Sequence, residues 1–203
     1  MGHYYDKTPE VESNTSQFSY THHQTKLLLT TDAGVFSKGK IDFGSDLLVQ
    51  TFLKAHPPGP KKKVVDVGCG YGPIGLMIAK VAPHDAVTLL DVNQRALALA
   101  EKNRIDNQID NATIMESDGL SNVADQSMNY VVTNPPIRAG KQVVHRILED
   151  AHTKLSNNGM LYVVIQKKQG MPSAKAKMEV IFGNVEVAAK SKGYYILRST
   201  RVD

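Results

Sequence analysis

From residue 64 onwards, short runs of β-branched and apolar residues alternate with longer stretches in which apolar positions recur every three or four residues. That alternation reads as strands joined by helices. Residues 64–67 form the first strand, and Pro73 suits a first helical position, so Ile74-Gly75-Leu76-Met77-Ile78-Ala79 continues as a helix. Ala86–Asp91 is a second strand, and Asn93 can cap a helix over Gln94–Asp106. Residues 112–115 and Met128–Thr133 give a third and a fourth strand. A helix over 141–155, a turn at Ser156-Asn157-Asn158-Gly159 and a fifth strand over 160–165 follow. Pro172 opens another helix to about Phe182, and residues 185–190 and 194–198 pair as a closing hairpin around Lys192-Gly193. The pattern predicts an α/β fold with a mostly parallel sheet and helices on both faces.

Upstream the pattern changes. Residues 1–14 are polar, and a flexible arm is expected over 1–17, with one folded domain over 18–203. β-Prone runs at 18–20 and 26–31, split by His22-His23-Gln24, predict a small hairpin outside the main sheet. Gly34-Val35-Phe36-Ser37 leads to Ile41-Asp42-Phe43-Gly44-Ser45 and a helix over 45–55, with Leu47, Leu48 and Phe52 facing inward. His56-Pro57-Pro58-Gly59-Pro60 stops that helix.

Composition narrows the class. A chain of 203 residues with 41% hydrophobic content supports one packed α/β domain, and no apolar run is long enough to cross a membrane. No secretion leader is evident, and a single cysteine fits a reducing, cytoplasmic setting. The seven histidines show no metal-ligand pairing, so no metal site is expected. The net charge of +4 fits a polyanionic partner, while each lysine run by itself reads as solvated surface.

The chemistry concentrates after the first strand. Val64-Val65-Asp66-Val67-Gly68-Cys69-Gly70-Tyr71-Gly72-Pro73-Ile74-Gly75 reads as strand, glycine turn and helix, the arrangement that holds a nucleotide-like ligand at the carboxyl end of a parallel sheet. Gly70-x-Gly72-x-x-Gly75 also fits a dinucleotide fingerprint. A pyrophosphate, however, needs a site free of anions, and here Asp66, Asp91 and Asp118 stand at or just beyond three strand ends. Three carboxylates suit a ligand bearing an amine and a sulfonium. Cys69 reads as a small loop residue rather than a nucleophile.

Asn134-Pro135-Pro136-Ile137 ends the fourth strand, beside the same crevice. Proline fixes φ and restricts the residue before it, so the turn is stiff. It can present the Asn134 amide oxygen and the Pro135 carbonyl to one NH2 group. Two such acceptors would hold an exocyclic amine near tetrahedral geometry and stabilise the positive charge that develops on it. Taken alone, Asn-Pro-Pro is equally a rigid turn.

With Asp66-x-Gly68-x-Gly70, the chain resembles the class I S-adenosylmethionine (SAM) methyltransferases. Gly34-Val35-Phe36-Ser37, Asp42-x-Gly44 and Asn134-Pro135-Pro136, in that order, are similar to the methyltransferase small domain family over about residues 18–200. The resemblance implies a Rossmann-like, seven-stranded sheet with one strand of the closing hairpin inserted antiparallel. It implies SAM bound at Asp66, Gly68, Cys69, Gly70, Gly72, Asp91, Val92, Asp118, Gly119 and Asn134. Asp91 would accept from the ribose hydroxyls and Asp118 from the adenine amine. Catalysis would fall to Asn134, Pro135 and Pro136, on guanine N2 of small-subunit ribosomal RNA, with the protein a monomer or homodimer. Phe36, Ile137, Arg138 and Lys141 are the candidate substrate contacts. The family's aromatic after the prolines is Ile137 here, which leaves either Phe36 or Tyr71 to stack on a base or a simple apolar wall in place of stacking. Alternatives are methylation of a protein glutamine amide, a non-catalytic RNA-binding or assembly module, and, last, a nicotinamide oxidoreductase.

Overall fold

The computed structural model describes residues 12–33, 35 and 39–203. Among these described residues nine strands and five α-helices follow in the order β1 (Ser16–His22), β2 (Thr25–Thr31), α1 (Phe43–Ala55), β3 (Lys63–Val67), α2 (Pro73–Val81), β4 (Ala86–Asp91), α3 (Gln94–Asp106), β5 (Ala112–Glu116), β6 (Met128–Thr133), α4 (Lys141–Lys154), β7 (Leu155–Gln166), α5 (Met171–Phe182), β8 (Glu186–Ser191) and β9 (Tyr194–Thr200). Short 3-10 turns sit at Ile137–Ala139 and Lys167–Gln169.

The main sheet has the order β5-β4-β3-β6-β7-β9-β8. β3 to β7 pair in parallel, while β9 lies antiparallel between β7 and β8. This is the inserted strand that periodicity alone could not place. One apolar core joins the sheet to α1, α2 and α3, and a second joins its other face to α4 and α5. Burial on both faces explains why Val64 and Val65 of β3, which point to opposite faces, are both apolar and both buried.

The separate β1–β2 hairpin is fastened to the sheet by two asparagines one turn apart at the end of α3. Asn103 accepts from Thr30 N at 2.7 Å and donates to Thr30 O at 2.9 Å. Asn107 does the same for Leu28, at 2.9 Å each way. The pairs satisfy the open edge of β2 much as another strand would. Asn103 also donates to Tyr71 O at 2.9 Å, tying the hairpin to the glycine loop.

Three differences from expectation bear on the fold. β1 begins at Ser16, and Asp32 accepts from Ser13 Oγ and Asn14 N, so the chain is engaged before residue 18; residues 1–11 of the expected arm lie outside the described residues. α1 starts at Phe43 rather than Ser45, because Asp42 is the cap and accepts from Ser45 N at 3.0 Å. Finally, the turn expected at 156–159 lies inside β7, which follows α4 directly. It is a bulge: Leu155 pairs with Met128 and Met160 with Tyr130, and Asn158 takes φ 63°. Arg201 secures it, exchanging backbone bonds with Asn158 and Gly159 at 2.8 Å and donating Nη1 to Leu155 O at 2.7 Å.

Candidate active site

Strands β3, β4 and β5 step outward in one direction and β6 and β7 in the other, so the order reverses between β3 and β6. Ligands of open α/β sheets bind beyond the carboxyl ends at such a point. A cleft lies there, lined by Val67, Gly68, Asp91, Val92, Ser117, Gly119, Pro136 and Ile147. Five of the sequence-derived site residues meet in it: Gly68, Asp91, Val92, Gly119 and Pro136. Val67, Ser117 and Ile147 went unnoticed, since nothing in their spacing separates them from ordinary core or turn residues.

The glycine loop forms the wall nearest β3. Gly68, Gly70 and Gly72 take φ of 70°, 58° and 93°. Gly68 N and Cys69 N both donate to Leu90 O, at 2.8 and 2.9 Å, and Gly70 N donates to Asp91 Oδ2 at 2.8 Å. Asp91 Oδ1 accepts from Asn93 N at 2.9 Å. Asp91 thus fixes the loop and the start of α3 while itself lining the cleft. Gly72 caps α2, and Cys69 is buried, with its thiol pushed up by burial and then by Asp91 and Asp66. A thiol so disfavoured as thiolate suits packing, not nucleophilic attack.

Asp66 is fully buried behind the loop. Its Oδ2 accepts from Gly75 N at 2.9 Å, while its Oδ1 has no partner among the described residues. Burial pushes the carboxyl up to about 7, opposed by the Gly75 bond and reinforced by Asp91. An orphaned carboxylate oxygen next to a second acid is what a cationic ligand would relieve. Because the folded value lies above the ordinary 3.8, the folded form holds more protons between the two values. The sign follows: on this group's account stability is greatest below about pH 4 and falls as pH rises through about 7. Asp66→Asn should remove that slope, raise the stability of the ligand-free protein near pH 8 and weaken SAM binding. Denaturation curves across pH, with calorimetry, check all three.

Gly75 is tightly placed. A Cβ there would stand 2.6 Å from Leu89 Cγ and 3.0 Å from Asp66 Oδ2. Gly75→Ala should therefore cost about 1–3 kcal/mol of stability through overpacking, read from urea denaturation.

The second wall is the turn after β6. Asn134 is half-buried, Pro135 is buried, and Pro136 leads into the 3-10 turn. Asn134 Nδ2 donates to Asp42 Oδ2 at 3.1 Å and to Ser45 Oγ at 3.0 Å. With the amide nitrogen held at both hydrogens, the amide oxygen is the free end; among the described residues nothing bonds to it. Asp42-x-Gly44-Ser45, noted in the sequence only as part of a resemblance, is thereby the clamp for Asn134. Tyr194 OH donates to Asp42 Oδ1 at 3.4 Å, and its ring would lie 2.7 Å from a Cβ at position 44, which demands glycine.

Several candidates fall elsewhere. Asp118 is exposed at the rim and pairs with Arg146 of α4. Ile137 packs against the core under α4 while staying half-buried. Tyr71 is 2% exposed and packs edge-on to Phe18, which removes it as a stacking surface. Phe36 lies outside the described residues. Arg138 and Lys141 are exposed just beyond the prolines. Among the described residues no cluster of His, Cys, Asp or Glu could hold a metal, and no helix is long and apolar enough to cross a membrane.

Sheet order, acid-glycine loop and Asn-Pro-Pro turn together define a class I SAM-dependent methyltransferase fold. The family model of the methyltransferase small domain matches residues 26–198, and the chain belongs to that family. It is 45% identical over 201 residues to the uncharacterized protein YbxB of Bacillus subtilis (strain 168), covering 98% of both chains. It is 28% identical over 196 residues to ribosomal RNA small subunit methyltransferase C of Vibrio cholerae, covering 95% of this chain and 55% of that protein. Among solved structures, the Thermus thermophilus 16S rRNA N2 G1207 methyltransferase, in complex with AdoMet and guanosine, superposes with a TM-score of 0.83 at 24% identity, over 95% of this chain and 52% of that one. The chain thus spans about half the length of the ribosomal RNA methyltransferases it matches.

Proposed function

We propose that this protein transfers a methyl group from SAM to an exocyclic amine of ribosomal RNA, guanine N2 by preference. The observation that carries the reading is Asn134, whose amide is clamped through its nitrogen by Asp42 and Ser45 so that its oxygen is presented as an acceptor. The amine of a base is a poor nucleophile because its lone pair is delocalised into the ring. Asn134 Oδ1 and the Pro135 carbonyl would accept its two hydrogens, turn the nitrogen toward tetrahedral geometry and stabilise the charge it acquires. No strong base is required, since the proton can leave to water afterwards.

Asp91, with Gly68, Val92 and Gly119, lines the cleft and would hold the cofactor, and Asp66, buried behind the Gly70 turn with one oxygen that no described residue bonds, favours a cationic one. SAM supplies the methyl group on a sulfonium. Arg138 and Lys141 would meet phosphates beside the target base. Support for RNA comes from the names of the chain's ribosomal RNA methyltransferase relatives and from the net charge of +4. The test is transfer of label from tritiated SAM to ribosomal RNA from a strain lacking the protein, followed by nucleoside analysis. N2-methylguanosine is expected. Label in a glutamine side chain of a protein, or none in RNA, would overturn the reading.

A further inference from the structure

The carboxyl edge of the main sheet is divided by charge. On the side of β3, β4 and β5 stand Asp66, Asp91, Glu116 and Asp118. On the other side, beyond β6, β7 and β8, three segments carry only cations: Arg138 and Lys141 after β6, Lys167 and Lys168 after β7, and Lys190 and Lys192 at the β8–β9 turn. Residues 137–142, 166–170 and 190–194 contain no Asp or Glu. Asn134 stands at the border of the two halves.

These three segments share one edge by topology. β7 runs parallel to β6, and β9 runs antiparallel to both β7 and β8, which brings the end of β8 and the start of β9 beside the end of β7. Lys167 N donates to Gly193 O at 3.0 Å, locking the β7 turn to the hairpin turn. Lys192 Nζ lies 4.8 Å over the ring of Phe43, which neighbours Asp42 of the Asn134 clamp, and Tyr194 sits 5.4 Å from that ring. All six cations are exposed. Elsewhere the basic residues are commonly neutralised: Lys154 by Asp125, Lys177 by Glu149, Arg198 by Glu186 and Arg104 by Glu101.

We infer that this cationic half-edge, formed by the β8–β9 turn and the 3-10 turn after β7 together with Arg138 and Lys141, is the track for the RNA backbone on the acceptor side of Asn134. The segregation has a physical logic. A cationic cofactor and a polyanionic acceptor meet at one amide, and each needs the opposite sign of field on its own side. Phosphate contacts from lysines fix position without reading sequence. The inference rests on RNA being the acceptor.

Lys61, Lys62 and Lys63 provide an internal control, because they precede or open β3 at the opposite edge of the sheet. The experiment compares Lys167→Gln/Lys168→Gln/Lys192→Asn with Lys61→Gln/Lys62→Gln/Lys63→Gln, matched in charge. Asparagine suits position 192, whose φ is 49°. Binding of an unmodified 16S ribosomal RNA transcript is followed by anisotropy between about 50 and 200 mM salt. The first variant should lose up to about 2 from the log–log salt slope, at about 0.7 per lost contact to a single strand, with SAM affinity and thermal stability unchanged. The control should keep the parental slope. Equal loss in both variants, or loss in neither, overturns the inference while leaving RNA as the acceptor. A parent protein that shows no salt-dependent RNA binding, or that binds an acidic polypeptide instead, overturns the reading of the acceptor and the inference with it.

Discussion

Asn134→Ala is expected to slow single-turnover methyl transfer by about 10²–10³-fold, the cost of losing one preorganised hydrogen-bonding group at a developing charge. SAM affinity should stay close to the parental value if, as proposed, the amide oxygen grips the target amine rather than the cofactor. Asn134→Asp should be milder. It retains an acceptor and adds charge that favours a cationic amine, although the carboxylate loses both hydrogens now given to Asp42 and Ser45. Rates measured with saturating SAM and RNA, corrected for the folded fraction, decide the matter. A near-parental rate in Asn134→Ala would remove the residue from the reaction and return the protein to the class of RNA-binding modules.

Much of the molecule can be read in the sequence where one local signal has one physical meaning. β4, β6 and α3 fall on the residues that apolar runs and the Asn93 cap define. Asp66, Gly68, Asp91 and Asn134 stand out because acids and glycines at strand ends contradict the core pattern around them. What is not legible depends on partners distant in the chain. Asn103 and Asn107 are ordinary helix residues until the β2 edge is laid against them. The turn at 156–159 carries strong turn chemistry, yet Arg201, which reaches back 46 positions to Leu155, draws it into β7. Asp42 is the most consequential case, since its role exists only once Asn134, 92 positions later, is brought against it.

Asp42 accepts from Asn134 Nδ2, caps α1 through Ser45 N and accepts from Tyr194 OH. Two contributions follow for Asn134: its amide is fixed at the nitrogen end, and a carboxylate behind the NH2 group enriches the oxygen as an acceptor. Capping is separable from both. Asparagine caps as well as aspartate, and the amide introduced by Asp42→Asn can accept from Ser45 and Asn134 while its own NH2 faces the Tyr194 hydroxyl. Asp42→Asn should therefore keep the stability of the parent and lose about 10-fold in rate, equivalent to about 1.4 kcal/mol of transition-state stabilisation. Asp42→Ala should lose about 1 kcal/mol of stability with the cap, and about 10²-fold in rate as the Asn134 amide is released. The decisive measurement is the double-mutant cycle. If Asp42 acts through Asn134, adding Asp42→Asn to Asn134→Ala should change the remaining rate by less than about 2-fold, because contacting residues of one network are not additive. Additive losses would instead place Asp42 in a separate task, and an Asp42→Asn protein with the parental rate would leave it a helix cap alone.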